Sequence, residues 1–136
     1  SRMIFFDLDG REHSKELNYR KHARMNARAS KLSDALFSKI REVLPGYGIL
    51  EEFPTVGLSP VLSIDFVILS GIRLAFEADG RQHSEFVPHF HGTRANFARQ
   101  KLNDVKKEQW CIANNIKLIR VSSIEEVESL AELIDG

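Results

Sequence analysis

Apolar side chains recur at helical spacing in one segment of the first half of the chain. The pattern starts after Ser30, which is a suitable N-cap, and PGYG at 45–48 predicts the end of the helix. The apolar positions are Leu32, Leu36, Phe37, Ile40, Val43 and Leu44. They predict an amphipathic helix over this segment.

Three strand patterns follow this helix. The segment ILEEFPTV at 49–56 predicts a strand, and Pro54 marks a sheet edge or the end of the strand. LSIDFVIL at 62–69 and IRLAFE at 72–77 flank a Ser-Gly turn, which predicts a β-hairpin.

The second half of the chain predicts a loop, a long helix, a strand and a final helix. SEFVPHFHGT at 84–93 is the loop, and residues 94–114 form the helix. IKLIRV at 116–121 predicts a strand, and Ser123 can cap a last amphipathic helix. The expected apolar side of the long helix carries Phe97, Leu102, Val105 and Ile112. The element order predicts an α/β fold with a central mixed β-sheet flanked by helices.

The start of the chain shows no clear hydrophobic periodicity. MIFFDL at 3–8 is compatible with a short strand, whereas residues 11–28 are polar and basic and indicate an arm or a loose helix. The expected organisation is one domain overall, with a basic arm over 1–29 and the main α/β domain over 30–136.

Charge is distributed unevenly along a chain whose formal net charge is zero. Residues 11–31 contain seven Lys or Arg and two acids, and residues 94–107 are also basic. The segment after Val121 carries acids and no Lys or Arg. Zero net charge argues against a generic nucleic-acid coat, but this separation indicates either a face for a polyanion or simply solvated helix surfaces.

Cysteine and hydropathy narrow the class of protein further. The single cysteine, Cys111, excludes an internal disulfide and is expected to be buried in a helix. No apolar run approaches the roughly 20 residues needed to span a bilayer, and SRMIFF is too short for a signal sequence. We therefore expect a cytoplasmic protein without a membrane partner, and a phage origin stays open.

The chain contains two similar octets, FDLDGREH at 6–13 and FEADGRQH at 76–83. The second octet follows Asp65, an acid in an apolar strand that needs a partner because a buried unpaired charge is costly. A hairpin would bring Asp65 beside Glu77, and strand alternation places Asp79 on the side of Glu77. Such carboxylates suit a hard cation, Mg²⁺ or Mn²⁺. The alternatives are an Asp65 pair with Arg73 or Arg120, and plain acids at the strand end.

The residue order from Asp65 onwards resembles the PD-(D/E)xK nuclease superfamily. It is most similar to the branch of the very-short-patch repair (Vsr) and EDxHD homing endonucleases. The shared run is Asp65-Phe66, then EADG at 77–80, His83, DVKK at 104–107 and a strand ending in Arg120. The resemblance covers about residues 30–121 and implies a restriction-endonuclease-like core. The superfamily's motif lysine would fall at Asp79, and the repair enzymes' structural zinc has no counterpart.

The resemblance implies a metal-dependent DNA endonuclease. Asp65, Glu77 and Asp79 would hold the metal, and His83 would be the general base. Lys107 would neutralise phosphate, and Asp104 would orient His83 or a metal-bound water. The competing interpretation of Asp104 is an ion pair with Lys101 or Lys107 on the helix surface. Asp34 would complete the site from the first helix. The alternative of another class is a non-catalytic nucleic-acid-binding domain of the same fold.

Basic residues outside this centre are expected to contact DNA phosphates. They are Arg20, Lys21, Arg24, Arg28, Arg81, Arg94, Arg99, Lys101 and Lys106. For Lys106 a solvated helix face is the competing interpretation. No base-reading module is evident, so specificity would need the loop at 84–93, a further domain or a second copy of the chain. His89 and His91 also lie in that loop, but no third residue stands at a spacing that would let it bind a metal ion with them.

The first octet matches a different pattern, the hhhhDxDG opening of haloacid dehalogenase-type phosphatases. We do not adopt that interpretation, because Arg11 stands where those enzymes usually have Thr or Val and their further motifs are missing. Asp7 and Asp9 are therefore expected at a strand end and turn. His13 and Arg11 keep an accessory role in DNA contact as an alternative.

Overall fold

The computed structural model describes residues 1–19, 30–80, 86, 88 and 92–136. The strands are β1 (Arg2–Phe6), β2 (Glu12–Glu16), β3 (Leu50–Pro54), β4 (Ser63–Ile68), β5 (Leu74–Ala78) and β6 (Lys117–Val121). The helices are α1 (Lys31–Val43), α2 (Arg94–Ala113), α3 (Ile124–Glu128) and α4 (Leu130–Asp135). The predicted order from the helix after Ser30 to the strand at 117–121 is confirmed, but the single final helix is divided at Ser129 into α3 and α4.

The central sheet has the strand order β3-β4-β5-β6. β3 pairs antiparallel with β4, and β4 pairs antiparallel with β5, as the hairpin prediction requires. β6 joins β5 in parallel, and α2 forms the crossover between them. The predicted α/β fold with a central mixed sheet flanked by helices is therefore confirmed.

Helices cover both faces of this sheet. On one face Phe66 and Phe76 pack with Phe37 and Ile40 of α1. On the other face Val67 and Ala75 belong to the cluster that contains Trp110 of α2. Each fully buried large apolar side chain contributes about 1.5–3 kcal/mol. The sheet is consequently a rigid platform whose strand ends are held in place from both sides.

The two predicted helix caps and the buried cysteine are found in the structure, together with a third cap that was not predicted. The hydroxyl of Ser30 accepts a hydrogen bond from the Ser33 N–H at 3.1 Å, and Ser123 caps α3 through the Glu126 N–H at 3.2 Å. Thr93 caps α2 in the same way. Burial is the main cause that raises the pKa of the Cys111 thiol to about 12, so this thiol is inert.

The N-terminal segment is a hairpin rather than an arm over residues 1–19. β1 and β2 pair antiparallel, which corrects the expectation of a loose helix for residues 12–16. Phe5 is fully buried and stacks on Trp110 with ring centroids 5.6 Å apart. The side chain of Asn114 bonds both the N–H and the carbonyl of Phe6. This aromatic anchoring explains the difference, because the polar residues of β2 pair with a strand that is held to the core by the buried Phe5.

The expected apolar side of α2 is wrong in one respect. Leu102, Val105 and Ile112 are at least half exposed, and Trp110 and Cys111 are the buried residues of this helix. The indole of Trp110 fills the core between the hairpin and the sheet and donates to the Val56 carbonyl at 2.9 Å. That contact fixes the rotation of α2 and leaves the smaller apolar residues outside. Among the described helices, none is long and apolar enough to cross a bilayer.

Candidate active site on the α2 face of the sheet

Asp65 and Glu77 are brought together by the pairing of β4 with β5. The register matches Phe66 with Phe76, so its continuation by one residue sets Asp65 opposite Glu77. Residues opposite each other on neighbouring strands carry their side chains on the same face. Asp65 Oδ2 accepts the Ala78 N–H at 2.9 Å, which fixes this carboxylate against the backbone of β5.

Lys107 of α2 supplies a cation directly at Glu77. Its Nζ lies 2.8 Å from Glu77 Oε1, and the two side chains are only 15% and 6% exposed. α2 can deliver this ammonium because Lys107 precedes Trp110 by one helical turn and therefore points toward the sheet. Neither Arg73 nor Arg120 is an ion partner of Asp65 within the described ranges, since Arg73 bonds the carbonyls of Asn114 and Asn115.

The electrostatics of this pair are dominated by burial. Burial raises the pKa of Glu77 to about 8, the nearby negative charge of Asp65 adds to the rise, and Lys107 opposes it. Burial acts to lower the pKa of Lys107, but the carboxylates of Glu77, Asp65 and Asp104 outweigh it and raise the value. When Glu77 is ionised, the site therefore holds more buried negative charge than its lysine compensates, and the folded protein keeps this carboxyl protonated to a higher pH than usual.

Asp79 lies beyond the end of β5 and is bound by a second cation. Its N–H donates to the Val121 carbonyl at 2.8 Å, which extends the pairing with β6 by one residue. Arg120 Nε lies 3.1 Å from Asp79 Oδ2, an ion-pair distance at which the N–H is not aligned for a hydrogen bond. The same guanidinium donates to Glu108 Oε2 and to the Asp104 carbonyl. Arg120 thus ties the strand end to α2.

A cleft of about 370 Å³ opens between this strand end and α2. Its lining residues are Asp79, Gly80, Lys101, Asp104, Val105, Glu108, Arg120, Val121 and Ser122. Lys101 is the exposed cation at the cleft, and Asp104 lies along its wall. The cleft gives a solvent-accessible approach to the strand end that carries Glu77 and Asp79.

The carboxylates fit a hard divalent cation only in part. Oxygen donors on adjacent strands are the ligand type that Mg²⁺ prefers, and a buried excess of negative charge favours a cation. Across residues 1–19, 30–80 and 92–136, however, no three His, Cys, Asp or Glu side chains stand together as a metal site. Asp65 and Glu77 could hold such an ion, while Asp79 is directed to Arg120.

The structure places the other predicted catalytic residues at different distances from this centre. Asp104 is near enough for its charge to act on Lys107, and its backbone carbonyl accepts from Arg120. Asp34 lies in the first turn of α1 and is exposed. Because α1 packs on the opposite face of the sheet, Asp34 is not grouped with Asp65 and Glu77. His83, the expected general base, lies outside the described residues.

The predicted phosphate-binding residues of α2 are mostly at the surface. Arg94 is exposed and stacks over the Phe86 ring at 4.4 Å, and Arg99 is exposed and bonds Asn96. Lys106 is half-buried. The predicted residues outside the described ranges are Arg20, Lys21, Arg24, Arg28 and Arg81, together with His89 and His91 of the loop.

The first octet is a structural turn, as expected for Asp7 and Asp9. Asp7 is buried, and its Oδ1 accepts the N–H groups of Asp9 and Arg11, both at 2.9 Å. Its Oδ2 lies 2.8 Å from His13 Nε2. Both carboxylate oxygens are occupied in closing the hairpin, so Asp7 is not available as a phosphatase nucleophile.

Sequence reasoning missed the role of Arg120 as the partner of Asp79. The available signal was its place as the one cation near the end of an apolar strand that follows a D-x-x-K helix. The anchoring of the hairpin by Trp110 and Asn114 was also missed. Neither residue belongs to a local pattern, because both contacts join segments about 50 or more residues apart.

Comparison with known proteins yields one partial relative. No family model matches the chain, and no solved structure gives a significant match. A stretch of 50 residues is 40% identical to Uncharacterized protein 307L of Invertebrate iridescent virus 6. The matched stretch covers 37% of this chain and only 25% of that viral protein. The similarity therefore links part of this chain to part of a longer protein and assigns no activity.

Proposed function

We propose that this chain is a divalent-metal-dependent DNA endonuclease of the PD-(D/E)xK superfamily, in the Vsr and EDxHD branch. The observation that carries the proposal is the meeting of Asp65, Glu77 and Lys107 on one face of the sheet. Two acids on paired strands and a lysine at 2.8 Å form the set of groups that phosphodiester hydrolysis needs. Their burial keeps them in fixed positions before substrate arrives.

The topology supports the same proposal. A helix, three antiparallel strands, a crossover helix and a parallel strand ending near Arg120 follow one another in the order that the resemblance implies. A restriction-endonuclease-like core is therefore part of the proposal. The cleft next to this strand end is lined by Asp79 and Asp104, and it is where a DNA backbone can approach.

In this mechanism Asp65 and Glu77 would hold the cation, which would supply a Lewis acid for the scissile phosphate and for the attacking water. Lys107 neutralises charge that develops on the phosphate oxygens. His83 takes the proton from the attacking water, a task suited to a group of pKa near 6.5. Arg120 keeps Asp79 and α2 in a fixed relation to the strand ends.

DNA would be held mainly through its phosphates. Arg94, Arg99 and Lys101 are exposed along the first half of α2, and Lys101 lies at the cleft. Such contacts position the backbone without reading bases, and their strength falls steeply with salt. With a single centre per chain, we expect nicks unless two copies act together.

One observation favours the second candidate, a nucleic-acid-binding domain without turnover. Glu77 is paired with Lys107 and Asp79 with Arg120, so these two acids already have cationic partners within the chain. A domain that had lost its metal could be stabilised by such pairs. The two candidates differ in whether bound DNA is cut.

Plasmid cleavage and DNA binding measured on the same preparations distinguish these candidates. Supercoiled plasmid is incubated with the protein in Mg²⁺ or Mn²⁺, with EDTA as the metal-free arm. Asp65→Asn and His83→Ala are compared with Glu132→Gln, an exposed acid of α4 that serves as the matched control. Binding is followed by the fluorescence anisotropy of a labelled duplex in Ca²⁺ at two salt concentrations.

If the chain is a nuclease, wild type should convert supercoiled plasmid to relaxed or linear plasmid. This conversion should be lost with EDTA and in both site variants, while the control variant cuts normally. Loss of a general base costs about 10²–10⁴-fold in rate. Salt-sensitive binding without cutting in either metal supports the binding domain instead. Hydrolysis of p-nitrophenyl phosphate, which the occupied Asp7 argues against, tests the phosphatase alternative.

A further inference from the structure

The most unusual feature of the site is the ammonium group of Lys107 beside the carboxyl group of Glu77, where the proposed function places a divalent cation. Lys107 Nζ and Glu77 Oε1 are 2.8 Å apart in a region with little exposure to solvent. Exposed ion pairs of this length contribute almost nothing, but buried partners cannot be exchanged for water without a large cost. The position of the ammonium is therefore a stable feature of the resting protein.

The neighbourhood of this ammonium is acidic on more than one side. Asp65 lies opposite Glu77 in the register of β4 and β5, and Asp104 lies one turn before Lys107 on α2. Glu77 would be the shared ligand of any cation held there, and it cannot bind a lysine and a divalent ion through the same oxygen. A cation ligated by Glu77 Oε1 must therefore displace the ammonium of Lys107 from that oxygen.

We propose that Lys107 is an internal stand-in for the divalent cation, so that metal binding at Asp65 and Glu77 displaces Lys107 and releases it toward substrate phosphate. This inference rests on the proposed function, because it takes the metal site from there. It adds that the lysine lowers metal affinity in the resting protein. The metal and the phosphate-neutralising cation are then delivered together, since one frees the other.

This coupling predicts that metal affinity and cleavage rate change in opposite directions when the lysine is removed. Removing the ammonium by Lys107→Met should strengthen metal binding while it weakens cleavage. Lys107→Arg keeps the charge and should keep metal binding weak. Losing one unit charge next to a buried divalent site should raise the affinity at least about tenfold, which corresponds to about 1.4 kcal/mol.

The experiment is Mn²⁺ binding to the full chain by isothermal titration calorimetry at pH 8.5, where protons compete least for the acids. Wild type, Lys107→Met and Lys107→Arg are compared with Lys31→Met, an exposed lysine at the start of α1. Acetylation of wild-type Lys107, followed by mass spectrometry, gives a second measurement that needs no variant. The extent of Lys107 acetylation should rise on Mn²⁺ addition, while the extent of Lys31 acetylation stays constant.

We expect tighter Mn²⁺ binding only in Lys107→Met and greater Lys107 reactivity in the metal-bound wild type. Measurable binding to wild type that Lys107→Met leaves unchanged or weakens would overturn the displacement and leave the nuclease proposal intact. Constant Lys107 reactivity on metal binding would overturn it equally. Absence of Mn²⁺ binding to wild type and to every variant would remove the metal from the proposed function and this inference with it.

Discussion

Neutralising Glu77 should remove a large pH dependence from the stability of this protein. Glu77 is 4% exposed, and burial raises its pKa to about 8. In the unfolded chain the same group titrates near its ordinary value of 4.5. Between these values the folded protein holds a proton that the unfolded chain has released. The stabilising contribution is therefore full below pH 4.5 and is lost as the pH rises toward 8.

The magnitude follows from the width of this interval. From 4.5 to about 8, at about 1.36 kcal/mol per pH unit, the loss amounts to about 5 kcal/mol. This is an upper limit, because water entry and movement of Lys107 reduce the cost of burying the ionised form. For a chain of this size about 3 °C of Tm accompanies each kcal/mol. Glu77→Gln should therefore match wild type near pH 4.5 and exceed its Tm by about 10 °C at pH 8.5.

The assay is thermal unfolding followed by circular dichroism from pH 4.5 to 8.5, without divalent metal. The difference between wild type and Glu77→Gln isolates this residue, because every other ionisable group is the same in both proteins. Glu132→Gln is the matched control at an exposed site and should leave the pH profile unchanged. A difference that stays flat across the range, or a variant that becomes less stable as the pH rises, would refute the reasoning.

Two further predictions concern the hairpin. Phe5→Ala should lower the free energy of unfolding by about 3–5 kcal/mol, since Phe5 is fully buried against Phe53 and Trp110. It should also shift the emission of Trp110, the single tryptophan, and an arm without contacts to the core would show neither effect. Asp7→Asn should flatten the acid side of the stability profile. The hydrogen bond to His13, followed by that of the Arg11 N–H, holds the pKa of Asp7 below its ordinary 3.8, so its stabilisation is present above that value and lost below it. Equal Tm differences between pH 3 and pH 6 in both proteins would contradict this assignment.

The central α/β fold was predictable because its signals are local. The apolar period of α1, the alternation of β4 and β5 and the cap residues Ser30 and Ser123 each act within one element. The hairpin of residues 1–16 was not, because β2 contains no large apolar residue, and Phe5 is recognisable as a core residue only through its contact with Trp110.

The same distinction between local signals and long-range contacts applies to the candidate site. Asp65 attracted attention as an acid in an apolar strand, and the hairpin register then placed Glu77 beside it. The ion pair from Asp79 to Arg120 depends on the parallel pairing of β5 with β6, which residue spacing does not specify. The face of α2 was misjudged because hydrophobic periodicity favours Leu102 and Val105, while the indole of Trp110 and the charge of Lys107 determine which side meets the sheet.

Single-turnover cleavage of an end-labelled DNA duplex across a Mg²⁺ series tests the central claim most directly. Wild type and Asp65→Asn are compared, because the amide retains an oxygen for the Ala78 N–H while removing the negative charge. We expect a rate that rises and saturates with Mg²⁺ in wild type and falls at least about 100-fold in Asp65→Asn. Equal rates in the two proteins, or no cleavage by wild type at any Mg²⁺ or Mn²⁺ concentration, would contradict a metal-dependent nuclease centred on Asp65 and Glu77.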